Sequence, residues 1–263
     1  MKPIIEFINV SVIHDTVTNV KALDLKELVI EAGGNAAILG PNGSGKSTFM
    51  RLITRELYPE PEENTICRIW GEERWDVFRL RSLLGIVTPY MAFKVNQNIT
   101  VEDTVLSGFF SSIGIPHRDY ITKEMLGKAE RNMDFLGILP LKTRFVTEVS
   151  TGEARLALIA RALAHDPKAL LLDEPTSGLD IKAAHNFREY LRKLSKHGTN
   201  VIIVTHDLED IIPEVSRVVL LDKGAVFKDG PIDQVLTDAN LSKLYSSKLK
   251  VVIGKHGYRA EFV

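Results

Sequence analysis

The chain has 263 residues, with 33 Lys plus Arg against 34 Asp plus Glu and a formal net charge of −1. That balance excludes a protein whose affinity comes from a broad basic field over phosphate backbones, and 44% hydrophobic with 25% charged residues excludes disorder and fibrous repeats. A single cysteine, Cys67, excludes an internal disulfide. No apolar stretch approaches the roughly 18 residues needed to span a bilayer. The opening MKPIIEFINV carries Glu6 and Asn9 where a signal peptide needs an unbroken apolar core. A soluble, cytoplasmic chain is expected, long enough for one large α/β domain or a domain with a smaller lobe.

Short alternating apolar segments over 4–12 and 23–30 predict strands near a sheet edge. A brief apolar strand over 35–39 runs into Gly40-Pro41-Asn42-Gly43-Ser44-Gly45-Lys46-Ser47. Helical spacing follows over 46–57, with Phe49, Met50, Leu52 and Ile53 on one side. Helical spacing then dominates over 101–110, 122–136 and 153–164, the first opened by Thr100 as a cap with Glu102 and Asp103 behind it. From 169 the chain reverts to short buried strands over 169–172, 200–204 and 218–221, a pattern of parallel strands covered on both faces. Alternation around Gly254 and Gly257 predicts a terminal hairpin. The expected organisation is a single domain over 1–263, with a sheet core formed by 1–89 and 165–263 and a helical lobe inserted over about 90–164.

Gly40 to Ser47 matches G-x-x-x-x-G-K-[ST] without a mismatch, between a strand and a helix. Glycines let the backbone curl until successive N–H groups point at a triphosphate, in conformations that a Cβ penalises. The opening of the helix adds its partial positive charge. Lys46 supplies a cation for the terminal phosphates, and the Ser47 hydroxyl can complete a Mg²⁺ shell. The triphosphate-binding set is therefore Gly40, Pro41, Asn42, Gly43, Ser44, Gly45, Lys46, Ser47 and Thr48.

The strand over 169–172 ends in Asp173 and Glu174. In an open parallel sheet ligands collect at the carboxyl ends of strands, so Asp173 is placed to hold Mg²⁺. Glu174, one residue on, can polarise a water for attack on the γ-phosphate. A strand end that merely exposes two acids is the alternative. The phosphate loop and the following Pro175-Thr-Ser-Gly-Leu-Asp180 weigh against it.

Together these residues resemble the ATPase domain of ATP-binding cassette (ABC) proteins. Val149-Ser150-Thr151-Gly152-Glu153 looks like the signature usually written L-S-G-G-Q, residues 177–180 ending in Asp180 look like the D-loop, and Thr205-His206-Asp207 looks like the switch histidine segment. The resemblance runs from about residue 4 to 236. It implies a P-loop NTPase fold of class α/β with a mainly parallel sheet core, an N-terminal antiparallel β subdomain and an inserted helical signature lobe. It implies ATP and Mg²⁺ as ligands, ATP hydrolysis with Glu174 and His206 as catalytic residues, and Ser47 with Asp173 at the metal. It also implies a head-to-tail homodimer in which Ser150, Thr151, Gly152 and Glu153 face the partner's ATP. Integral membrane permease subunits are the implied partners, with the chain peripheral on the inner face of the cell membrane and no direct nucleic-acid partner.

Three departures from the family pattern stand out. Thr151 and Glu153 replace Gly and Gln of the signature. Pro89 stands where a glutamine usually follows the strand over 84–87; Gln97 lies near in sequence. No Tyr or Phe occupies the usual adenine-stacking place, for which His14 is the best substitute, with an exposed loop histidine as the alternative. The segment 99–110 looks like molybdate or photorepair-type ABC ATPases, and the tail with Asn240 to Tyr245 looks like the metal-chelate import branch. The leading expectation is the ATP-hydrolysing subunit of an ABC transporter. A soluble ABC ATPase acting on ribosome or DNA, and a nucleotide-sensing module with negligible turnover, remain as alternatives.

Overall fold

The computed structural model describes residues 2–15, 20–89, 91, 98–112, 114–255 and 257–263, without the side chains of His14, Asp15 and Val77. The chain divides into two compact units, Met1–Trp75 with Asn200–Val263, and Asp76–Thr199.

In the first unit, β1 (Ile5–Asp15), β2 (Val20–Ile30) and β4 (Ile66–Ile69) form an antiparallel sheet in the order β2-β1-β4. The edge position expected for both early strands holds for β2 only. Phe7 pairs with Leu28 on one side and Cys67 on the other, because the four-residue β4, too short to read from periodicity, closes the second flank of β1.

A second sheet in this unit centres on β3 (Asn35–Leu39), paired in parallel with β7 (Asn200–Thr205) and β8 (Val215–Asp222). Four of the five β3 residues and five of the six β7 residues are buried, the two-faced cover expected of parallel strands. β9 (Ala225–Pro231) returns antiparallel to β8 through Lys223 and Gly224, at φ 48° and 82°, a two-residue turn that needs φ > 0 at both positions.

α1 (Lys46–Ile53) buries Phe49 edge-on against Phe7, ring centroids 5.8 Å apart. It stops short of the expected residue 57. Arg55 turns left-handed at φ 60°, and the N–H groups of Glu56 and Leu57 both fold back onto the Arg51 carbonyl. The unit closes with the terminal hairpin, β10 (Leu249–Gly254) and β11 (Gly257–Phe262), with Gly254 opposite Gly257 as expected.

In the second unit, β5 (Leu84–Val87) pairs in parallel with β6 (Ala169–Asp173). Its helices are α2 (Val77–Leu83), α3 (Val101–Leu106), α4 (Lys123–Phe135), α5 (Thr151–Ala162) and α6 (Ile181–Lys196). Each begins behind a residue whose side-chain oxygen accepts a first-turn N–H: Asp76, Thr100, Thr122, Ser150 and Asp180 respectively. Each such cap is worth roughly 1 kcal/mol. Among the described residues, no helix is long and apolar enough to cross a membrane.

Candidate functional site

β3 ends at Leu39 opposite Thr205 of β7, and the Gly40 N–H continues the ladder by donating to the Thr205 carbonyl at 3.3 Å. From there the chain curls, and two positions admit only glycine. A Cβ on Gly40 would overlap the Leu221 carbonyl oxygen and lie 2.5 Å from Ser44 Oγ. Gly45, at φ 101°, caps α1, and a Cβ there would lie 2.9 Å from the Ala22 carbonyl oxygen.

Inside the curl, the buried Lys46 donates from Nζ to the carbonyls of Gly40 (2.7 Å) and Pro41 (3.1 Å). Ser44 is 2% exposed and its Oγ has no hydrogen-bond partner, a costly state for a buried hydroxyl. The first turn of α1 carries no acidic residue, so nothing there opposes an anion at the helix N-terminus. An orphaned hydroxyl, an ammonium folded over the loop and the leading N–H groups of a helix are donors suited to a polyphosphate. Ser47 is exposed beside them.

The strand adjacent to β3 carries the switch segment. Thr205 Oγ1 donates to the buried Asp210 carboxylate at 2.6 Å and accepts the Asp207 N–H at 3.0 Å, while Asp207 Oδ1 accepts the Glu209 N–H at 2.9 Å. Tyr245 Oη donates to the His206 carbonyl at 3.1 Å. The backbone around His206 is thus tied at several points while the residue itself is exposed. The first unit brings His206 and the phosphate loop to the same end of adjacent parallel strands.

The second unit carries the predicted acids Asp173 and Glu174, the signature residues and Asp180. Asp173 ends β6, and Glu174 follows at φ 45°, a left-handed conformation that costs a residue with a Cβ about 1–2 kcal/mol. Arg155 of α5, 8% exposed, donates from Nη1 to the carbonyls of Glu174 (3.0 Å) and Pro175 (2.7 Å). Asp180 caps α6 by accepting the Ala183 N–H at 2.8 Å. Gly152 lies so close to α6 that a Cβ would sit 3.0 Å from Ala183 Cβ.

The signature segment differs in one respect from its expected form. Its helix was expected over 153–164 but begins at Thr151, because Ser150 and Glu153 form a capping box. Ser150 Oγ accepts the Glu153 N–H at 3.3 Å, and Glu153 Oε2 accepts the Ser150 N–H and hydroxyl, both at 2.8 Å. The Glu153 charge is therefore engaged within the helix start. Thr151 is exposed and Pro89 half-buried just beyond β5. The His14 side chain and Gln97 lie outside the described residues.

Lower on α5, Arg161 donates to Ser107 Oγ (3.0 Å) and the Ser112 carbonyl (2.8 Å); burial, with the Arg81 charge second, pushes its guanidinium down to about 10. Among the described residues no cluster of three or more His, Cys, Asp or Glu side chains is placed to hold a metal. Mg²⁺ is commonly bound by one or two protein oxygens together with substrate phosphates, and the Ser47 hydroxyl and the Asp173 carboxylate, each considered within its own unit, are oxygen donors of that kind. Arg155 is not among the residues the sequence singles out; a full charge directly ahead of the apolar run 156–160 marks its burial but not its partners.

Comparison with known proteins is consistent across sequence and fold. A family model described as ABC transporter matches residues 23–177. The hemin import ATP-binding protein HmuV of Nitrobacter winogradskyi is 32% identical over 253 residues, covering 93% of this chain and 89% of that one. An ATP-binding cassette of an ABC transporter in its ADP conformation shares the fold with a TM-score of 0.76 at 25% identity, over 94% of this chain and 99% of that one. The dimeric structure of a bacterial ABC transporter cassette matches with a TM-score of 0.69 at 25% identity, over 87% of this chain and 98% of that one.

Proposed function

The chain belongs to the ABC transporter family of nucleotide-binding, ATP-hydrolysing proteins, and we propose that it powers solute transport through separate membrane subunits by ATP-driven closure of a homodimer. The observation that carries this reading is the curled loop, in which Gly40 and Gly45 admit no side chain while Lys46 and the orphaned Ser44 hydroxyl line its interior.

In this mechanism the backbone N–H groups of Gly43, Gly45, Lys46, Ser47 and Thr48 and the Lys46 ammonium bind the triphosphate. Ser47 and Asp173 would hold Mg²⁺, whose charge would offset that of the phosphate oxygens. Glu174 takes a proton from the attacking water as its oxygen bonds to the γ-phosphorus and the bond to ADP breaks, leaving ADP and inorganic phosphate. His206 orients that water. Asp180 supports the same region through the start of α6. Ser150, Thr151, Gly152 and Glu153 at the N-terminus of α5 face the γ-phosphate of the partner's ATP, where a helix end favours an anion. Contacts to a γ-phosphate exist only before hydrolysis, so closure and relaxation follow the nucleotide state.

Dimer closure is supported by the dimeric cassette of similar fold, and import as the direction by the relative named for hemin import. Permease partners place the chain peripherally on the inner face of the membrane. A Glu174→Gln variant tests the mechanism: it retains ATP binding, loses about 10²–10⁴-fold in turnover, and elutes as a dimer on gel filtration only with ATP. Parental turnover overturns the assignment of the base, and a monomer at saturating ATP overturns the closure.

A further inference from the structure

Arg155 takes no part in the mechanism above, yet it is the most deliberately placed cation of the second unit. Its guanidinium is nearly buried and spends one nitrogen on two successive carbonyls, those of Glu174 and Pro175, at 3.0 and 2.7 Å. We propose that Arg155 is a positioning residue that holds the strand end in the conformation presenting the Glu174 carboxylate to the attacking water. This inference rests on the reading of Glu174 as the general base.

Glu174 sits at φ 45°, a backbone state that a residue with a Cβ keeps only when its surroundings over-determine it. Two sets of contacts do so. The Ser177 N–H closes a turn onto the Glu174 carbonyl at 3.2 Å, and Arg155 binds the same oxygen from α5. A change of the Glu174 φ out of the left-handed region would swing its carbonyl off both contacts and re-aim the carboxylate. A general base works only within hydrogen-bond reach of its proton, and a displacement of about 1 Å costs on the order of 10²-fold in rate.

Chemistry also favours arginine over its substitutes. A charge-assisted hydrogen bond is roughly twice as strong as a neutral one, which a glutamine does not provide. Lysine keeps the charge but on a flexible stem, without the planar, pre-organised guanidinium that sets one nitrogen between both acceptors. Arg155 is also one and a half helical turns from Ser150, so the helix that carries the signature is the helix that holds the base.

The test compares Arg155→Gln, Arg155→Lys and Glu174→Gln in the full-length chain, reading kcat, KM for ATP, ATP affinity by calorimetry and the thermal midpoint. Arg155→Gln is expected to lower kcat about 10²-fold, with KM, ATP affinity and midpoint close to parental, and Arg155→Lys, which keeps a charged donor, to lose less than Arg155→Gln. Parental kcat in Arg155→Gln while Glu174→Gln is inactive overturns the positioning role and leaves the base intact. Parental kcat in both overturns the base and the positioning role together. Parallel loss of kcat, ATP affinity and thermal midpoint in both arginine variants assigns Arg155 to packing alone and also overturns the proposal.

Discussion

In the first unit the groups facing a polyphosphate are held by backbone stereochemistry, whereas in the second the groups around Glu174 are held by side chains. Gly40 and Gly45 leave no room for any other residue because carbonyl oxygens of Leu221 and Ala22 stand where a Cβ would go. Around Glu174 the fixing elements are the Arg155 guanidinium, the Ser150–Glu153 capping box and the Asp180 cap. A backbone-built site cannot vary without being lost. A site built from side chains tolerates exchange so long as each contact is replaced, and all three departures from the family pattern within the described side chains, Pro89, Thr151 and Glu153, fall in the second unit.

The largest contrast should come from placing one methyl group in each unit. Gly40→Ala is expected to abolish detectable ATP binding in calorimetry and to destabilise the chain by about 1–3 kcal/mol, the usual cost of overpacking. Gly152→Ala meets only the Ala183 methyl at 3.0 Å, and the gain in helix propensity of about 1 kcal/mol offsets that contact, leaving stability within about 1 kcal/mol of the parent. Equal damage from the two substitutions would erase the distinction.

A smaller effect is expected at the signature cap. Ser150→Ala removes an acceptor from the start of α5 and should cost about 1 kcal/mol, a drop of about 2–4 °C in Tm for a chain of this size. Glu153→Gln preserves the reciprocal contact and should change Tm by less. If Glu153→Gln proves the more damaging, the carboxylate does more than cap.

The smallest is a pH effect in the first unit. Burial raises the Cys67 thiol above its ordinary 9.0, with the Arg55 guanidinium, 3.4 Å from Sγ, opposing the shift. A folded pKa above the unfolded one contributes stability that is complete below about pH 9 and is lost as pH rises through the folded value. Between about pH 8 and 10 the urea midpoint of the parent should therefore fall more steeply than that of Cys67→Ala, and equal slopes would contradict the assignment.

Legibility followed the same division. The phosphate loop could be read at single-residue level because its constraint is local: a curl between β3 and α1 demands Gly40, Gly45, Lys46 and Ser47 at fixed spacing. The parallel strands were equally plain, since Val201 to Val204 can only be buried on both faces. β4 is not legible because four residues, one of them Arg68, carry no usable period, and the helical pattern outruns α1 because nothing in Arg55 announces a left-handed turn. Ser150-Thr-Gly-Glu153 also spells a capping box, and for that reason α5 begins at Thr151 rather than at residue 153. Arg155 depends on two carbonyls some twenty residues away in the chain, contacts that no local pattern encodes.

The central claim, that the curled loop grips a triphosphate through Lys46, is tested most directly by titrating Mg-ATP into the parent and Lys46→Ala by calorimetry. The account predicts saturable binding to the parent and an affinity at least about tenfold weaker in the variant, the loss of one charged contact worth roughly 1.4 kcal/mol or more, in a variant shown by circular dichroism to remain folded. Equal affinities in two folded proteins would contradict it.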